Sequence, residues 1–148
     1  MKIGDIIGAN HVVVGLRVAN KAHLLQELAH RSAVALSIDE RRIFSALEAR
    51  EQLGSTGLGK GFALPHARLD GLMAPFALLV RLTRPIDFAA IDERPVDLVI
   101  LLLTPVDAGN EHLAILAAVS RPLRGDAFVQ RLRRAPDAQA LHNVLASA

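Results

Sequence analysis

The chain has 148 residues, of which 51% are apolar and only 3% aromatic, with a formal net charge of +2 and no cysteine. That length suits one domain spanning residues 1–148, with a substantial core that has to be aliphatic. The absence of thiols excludes disulfides and thiolate metal sites, and points to a cytoplasmic setting. A pI near 9.7 does not mark a nucleic-acid reader. With neither Cys nor Tyr, little titrates between His and Lys, so a small excess of base raises the pI without building a basic face. The densest basic cluster, Arg131, Arg133 and Arg134, reads as a solvated helix face. Mean hydropathy is +0.31, yet the longest clean apolar run, Leu98 to Leu103, is far short of a membrane span. The opening Met1-Lys2-Ile3-Gly4-Asp5 has no signal-peptide hydrophobic region. The chain is expected not to be membrane-embedded.

In chain order, residues 1–9 read as short and turn-like. His11 to Leu16 is rich in β-branched residues and predicts the first strand. Asn20 is a good N-cap for a helix to about Leu36, with Leu24, Leu25, Leu28 and Ala29 on one face. Ser37 to Glu40 matches a capping box and opens a second helix, striped by Ile43, Phe44 and Leu47 and closed by Gly54 at C′. A short strand is expected over Phe62 to Leu64 and a longer one over Phe76 to Leu82, with residues 85–92 irregular. Val96 to Thr104 is nearly all apolar, as a central strand covered on both faces would be, and Pro105 ends it. Asn110 then caps a helix carrying His112, Leu113, Leu116, Ala117 and Val119, which Pro122 kinks or shortens. Two last helices are expected, from Asp126 to Ala135 and from Asp137 to about Ala146. The pattern is that of an α/β protein bordering on α+β, with one mixed sheet flanked by helices.

The chemistry concentrates between Leu53 and Arg68. That stretch holds Gly54, Gly57, Gly59 and Gly61, the adjacent hydroxyls Ser55 and Thr56, and Lys60. Glycines let a backbone reach positive φ, and successive free N–H groups can cradle an anion. Leu64-Pro65-His66 comes next. Proline fixes its own φ and extends the residue before it, so an imidazole placed there is aimed rather than swinging. Arg50 falls in the last turn of the preceding helix, where a cation suits the dipole and can also hold an anion. Gly54 to Lys60 nearly matches the nucleotide-binding G-x-x-x-x-G-K. Gly61 stands where Ser or Thr must ligate magnesium, and the loop follows a helix instead of a strand. No histidine lies at metal-site spacing from His66, and His112 can meet it only through the fold. His11, His23, His30 and His142 read as structural or exposed.

Taken together, Arg50-Glu51-Gln52-Leu53-Gly54-Ser55-Thr56-Gly57, Gly61 and Leu64-Pro65-His66-Ala67-Arg68 resemble the enzyme IIA proteins of the bacterial phosphoenolpyruvate-dependent phosphotransferase system. The match is to the fructose/mannitol type and best to its nitrogen-regulatory branch. It continues through Pro85-Ile86, Ala90-Ile91-Asp92, Pro95-Val96-Asp97 and His112-Leu113. The resemblance implies that His66 accepts a phosphoryl group through Nε2, that Arg50 contacts it, and that His112 lies beside His66. Lys60 stands where the family varies, and Pro122 departs from the family's helix. The donor implied is a small histidine-phosphorylated carrier protein of the HPr kind, so neither a metal nor another cofactor is called for. The protein would be a phosphocarrier acting as a phosphorylation-dependent regulator, with a potassium transporter or a sensor kinase as partners. The alternatives are a sugar-committed component passing phosphate to a IIB partner, and a nucleotide-binding protein using Gly54 to Lys60. In the elementary chemistry, a neutral imidazole attacks phosphorus, a guanidinium fork holds its oxygens, and loop N–H groups with the hydroxyls of Ser55 and Thr56 take up others. Leu58, Phe62 and Leu72 are expected to form an apolar rim for the docking carrier.

Overall fold

The computed structural model describes residues 2–148. Its centre is an antiparallel pair, Phe76–Ile86 (β5) and Val96–Pro105 (β6). Val12–Leu16 (β1) lies parallel to β5 on one side. The other edge of β6 is shared by Phe62–Ala63 (β3) and His66–Leu69 (β4), both parallel to it. Gly57–Gly59 (β2) closes antiparallel on β3. Among the described residues these strands make a six-stranded mixed sheet, in the order β1-β5-β6-β3-β2 with β4 paired to β6.

The unbroken apolar character of β6 is explained by the layers that cover it. Val99, Leu101 and Leu103 enter one core, and Leu98, Ile100 and Leu102 enter the other. All six are fully buried, each contributing roughly 1.5–3 kcal/mol. Lys21–Leu36 (α2) and Glu40–Gln52 (α3) cover the first face with Leu24, Leu28, Ile43 and Leu47. The second face carries Ile3–Ile6 (α1), Asn110–Ser120 (α4), Asp126–Arg134 (α5) and Ala138–Ala146 (α6), through Ile3, Ile115, Leu132 and Leu141. Successive strand residues point to opposite faces, so two aliphatic cores sandwich one sheet, as the mixed-sheet α/β expectation requires.

Several local expectations are corrected. Residues 3–6 form a single helical turn whose Ile3 is buried, so the N-terminal stretch packs instead of merely turning. Ser37 does not open α3. It closes α2 in the left-handed conformation at φ 56°, and Asp39 caps α3 by accepting from the Arg41 N–H at 3.1 Å. Two helices this close leave one hydroxyl residue free to serve only one of them. Asn110 is the first residue of α4 and not its cap; Gly109 holds that place, with no side-chain bond. β5 runs on to Ile86, four residues past the expected Leu82, because it pairs again with β6 at Val96 after an irregularity. Arg133 is not a solvated cation, since its guanidinium forks onto Asp97 at 3.0–3.2 Å and donates to the Lys60 carbonyl. Arg131 is exposed as expected, and Arg134 is exposed too.

One interruption in the sheet places the histidine. β3 and β4 would be a single strand but for Leu64 and Pro65. Proline cannot donate to a ladder, and only its carbonyl takes part, accepting from the Leu102 N–H at 3.0 Å. β4 restarts at His66 opposite Leu102. Ala67 and Leu69 enter the core beneath α2 and α3, so His66 and Arg68 project from the other face, towards α4.

Candidate functional site

His66 is half-buried, and its ring is fixed by two bonds. Nδ1 lies 2.8 Å from the Leu64 carbonyl. A carbonyl only accepts, so Nδ1 carries the proton and Nε2 keeps its lone pair. Arg50 Nε donates to that Nε2 at 3.3 Å. Nη1 of the same guanidinium donates to the Gly54 carbonyl at 2.9 Å. α3 therefore delivers Arg50 from its last turn, and the residue just past its end holds the guanidinium in place.

His112 comes from the first turn of α4. Its ring centroid stands 5.7 Å from that of His66, with the planes tilted by 45°. It is buried, and its Nδ1 is hydrogen-bonded to the hydroxyl of Thr104, a buried residue of β6. His66, Arg50 and His112 are thus brought to one point from a strand and two helices on opposite faces of the sheet.

The sequence pattern assigns Arg68 no role of its own. It shares a strand face with His66 two residues on, and its guanidinium lies 3.5 and 3.4 Å from the carbonyls of Val106 and Gly109. The missing signal is the strand: only if 66–69 is extended do residues 66 and 68 share a side.

Both imidazoles are biased towards the neutral form. Burial is the main cause pushing His66 below the ordinary 6.5, and the positive charge of Arg50 adds to it, against the Leu64 carbonyl bond and the Glu51 carboxylate. His112 is likewise lowered, by burial first, then by Arg68 and by His66 itself. A neutral ring with its lone pair facing a guanidinium has the chemistry to act as a nucleophile beside an anion holder.

The glycine loop is placed differently from the expected cradle. The Ser55 hydroxyl donates to the Phe88 carbonyl at 2.9 Å, and the Thr56 hydroxyl donates to Glu51. The amides of Gly54, Thr56 and Gly57 are bonded to the Glu51 carbonyl, the Glu51 carboxylate and Ser55 Oγ. These donors could meet an anion only by giving up bonds already made. The near-match to a nucleotide-binding loop dissolves as well. Gly54 ends a helix, while Lys60 and Gly61, at φ 58° and 80°, form the tight turn between β2 and β3. Two central residues with positive φ make the hairpin turn whose twist suits the strands. Lys60 Nζ is paired with Asp126 at 2.8 Å.

Of the expected docking rim, Leu58 is exposed, but Phe62 and Leu72 are 3% and 8% exposed and belong to the two cores. Strand register sends Phe62 inward beside Leu98. Other exposed apolar side chains beside the site-bearing segments include Leu53, three residues after Arg50, Leu113, after His112, and Val106, whose carbonyl Arg68 approaches. No helix among the described residues is long and apolar enough to cross a membrane.

Residues 5–148 match the family described as "Phosphoenolpyruvate-dependent sugar phosphotransferase system, EIIA 2". The chain is 44% identical to a nitrogen regulatory protein of Bradyrhizobium diazoefficiens, over 99% of this chain and 95% of that one. It is 34% identical to a fructose-specific EIIA component of Haloferax volcanii, over 86% and 84% of the two. The crystal structure of nitrogen regulatory protein IIA-Ntr from Neisseria meningitidis superposes with a TM-score of 0.91 at 33% identity, covering 97% of this chain and 98% of that one. A sheet edge broken by proline to present one histidine, with an arginine and a second histidine folded against it, therefore sits in a chain that belongs to the EIIA type 2 family of the phosphotransferase system.

Proposed function

We propose that the chain is a cytoplasmic phosphocarrier of the nitrogen-regulatory kind, in which His66 Nε2 accepts a phosphoryl group from a histidine-phosphorylated small carrier protein. The observation that carries this is the pair of bonds on one ring: Nδ1–H anchored on the Leu64 carbonyl, and Nε2 presented to Arg50 at 3.3 Å. The Nε2 lone pair forms the new N–P bond as the donor's N–P bond breaks, and the donor imidazole leaves with that electron pair. Nδ1–H stays on the Leu64 carbonyl throughout, so the ring that becomes positive is stabilised where it already donates. The transition state is loose and spreads charge over the phosphoryl oxygens, so positioning and donors supply the catalysis. Arg50, lying across the entry to Nε2, moves its fork from nitrogen to those oxygens. His112 lines the other side of the ring. Gly54 and Gly57, with Ser55 and Thr56 between them, serve the phosphoryl group through Arg50 and the His66 frame instead of by direct contact.

Phosphorylation places about −1.5 to −2 charge at this half-exposed point, enough to change which partner docks. Transporters and sensor kinases are the partners the reading favours, with residues 1–148 acting as one unit. Incubation with phosphoenolpyruvate, enzyme I and the carrier protein should give acid-labile label on the chain and none on His66→Ala. Label persisting in that variant would remove His66 from the role. The likeness to a fructose-specific component favours a second reading, onward transfer to a IIB protein for sugar uptake. Discharge of the labelled chain by a fructose-type IIB, and not by buffer, would select it.

A further inference from the structure

We infer that Glu51 is a positioning residue for this transfer: its carboxylate fixes the loop after α3 at Thr56, and through Thr56 the segment that aims the His66 ring. The inference rests on the phosphocarrier reading, and deepens it at a residue that touches neither phosphorus nor either imidazole.

The Glu51 side chain is only 5% exposed. A carboxylate so covered has to be held by partners, because an ionised group loses its hydration on burial. Three donors meet it. Lys21 Nζ stands 2.9 Å from Oε1, the Thr56 amide donates to the same oxygen at 3.1 Å, and the Thr56 hydroxyl donates to Oε2. Both donors of Thr56 are thereby spent on one side chain five residues back, and the intervening loop has little freedom left.

Two short chains of bonds lead from Glu51 to the site, one from its carboxylate and one from its main chain. In the first, the Thr56 carbonyl accepts from the Leu64 N–H at 2.9 Å, and the Leu64 carbonyl accepts from His66 Nδ1–H at 2.8 Å. This bond decides which nitrogen of His66 is protonated, and so which one is the nucleophile. The second starts from the Glu51 main chain: its backbone carbonyl accepts from the Gly54 N–H at 3.1 Å, and the Gly54 carbonyl takes Arg50 Nη1 at 2.9 Å. Ring tautomer therefore rests on the Glu51 carboxylate through Thr56, and guanidinium placement on the adjoining Gly54, held by the Glu51 main chain. Anchor and loop are tied in turn to the β5–β6 connection: Lys21 Nζ and the Ser55 hydroxyl both donate to the carbonyl of fully buried Phe88, at 3.3 and 2.9 Å. Lys21 also lies 4.3 Å over the Phe88 ring.

A purely structural pair would lower stability when broken and leave the chemistry of the folded fraction alone. The two roles separate in one experiment. Full-length wild type, Glu51→Gln and Thr56→Val are charged by rapid quench from the phosphorylated carrier protein over a range of carrier concentrations. The 15N shifts of the His66 ring are recorded on the unphosphorylated proteins. Glu51→Gln should slow the limiting transfer rate by about 10- to 100-fold, the scale of a misplacement near 1 Å. The half-saturating carrier concentration should change less than about twofold, since only positioning is lost. Its His66 ring shifts should move from one tautomer towards a mixture. Thr56→Val, which keeps the Lys21–Glu51 pair, should move both readouts the same way by a smaller factor, and it decides the matter if Glu51→Gln does not fold. A limiting rate within twofold of wild type, a loss confined to the half-saturating concentration, or unchanged ring shifts would overturn the inference. If the wild type takes no phosphate, the phosphocarrier reading fails on its own account, and the ring shifts still test the positioning.

Discussion

Arg50→Lys isolates geometry from charge at the proposed centre. Arg50 divides its donors: Nη1 holds the Gly54 carbonyl at 2.9 Å, and Nε approaches His66 Nε2 at 3.3 Å. A lysine keeps the charge but has one ammonium on a flexible stem, and cannot be braced by Gly54 while also spanning phosphoryl oxygens. The loss is at least one hydrogen bond to a charged group, about 1.5–3 kcal/mol. At 1.36 kcal/mol per decade that is roughly 10- to 150-fold in rate. Because Arg50 is half-exposed, solvent screening favours the lower end. Single-turnover transfer from the phosphorylated carrier is the assay, and the pH profile supplies the control. Arg50 lowers the His66 pKa by its charge, so the lysine variant should keep the wild-type profile, whereas Arg50→Ala should shift it upward. A rate loss below about threefold in Arg50→Lys would show that any cation suffices, and the fork argument would be refuted.

The same geometry sets other outcomes. His66 is displaced below the ordinary 6.5 chiefly by burial, so the midpoint of acceptor activity should lie below pH 6.5; a midpoint above 6.5 would contradict the buried, guanidinium-facing ring. The sign for stability is fixed by the same shift. A native imidazole with a lowered pKa binds fewer protons than the unfolded one, so the fold loses stability as pH falls through 6.5 towards the native value. His112 acts in the same direction, and urea midpoints at pH 7.5 and 5.5 should show the drop, shrinking in a His66→Gln, His112→Gln double variant. Gly57→Ala should destabilise by about 1–3 kcal/mol, as overpacking does, because a Cβ there would stand 2.7 Å from the Cβ of Ala90 and 2.8 Å from its Cα. An unchanged urea midpoint would mean that the β2 edge gives way freely.

Much of the scaffold could be read from the chain because its signals were local. Apolar periodicity identified α2 and α3, and an unbroken run identified β6. Asn20 caps α2 and Asp137 starts the last helix, as their side chains suggest, and Pro122 shortens α4, which stops at Ser120. The elements that escaped depended on partners distant in sequence. β4 has a single apolar alternation of four residues and exists because β6 offers an edge from Leu102 to Pro105. β2 is three residues, two of them glycine, and is a strand only because β3 lies against it. The fate of Ser37 turned on which of two adjacent helices needed it.

The fold brings Arg50, His66 and His112 together as their residue types suggest, but the bonding of the glycine loop could not be read from the sequence. Glycines with neighbouring hydroxyls signal a backbone of unusual conformation, but the same signal suits two opposite arrangements. In a cradle, the donors stay free for a ligand. In a splint, an acceptor outside the motif consumes them and the loop becomes rigid. The deciding residue here is Glu51, inside α3, which a scan for glycine and hydroxyl spacing passes over because a glutamate in a last helical turn is ordinary by itself. Its Oε atoms take the Thr56 amide and hydroxyl, and under the proposed function the phosphoryl oxygens then fall to the Arg50 guanidinium. Under the proposed function, a carrier that accepts and surrenders a phosphoryl group would gain from this arrangement. A deep cradle of N–H groups would stabilise the bound phosphate as well as the transition state, and uniform binding does not speed transfer. One fork that exchanges nitrogen for oxygen as the N–P bond forms holds the group only as tightly as that exchange allows.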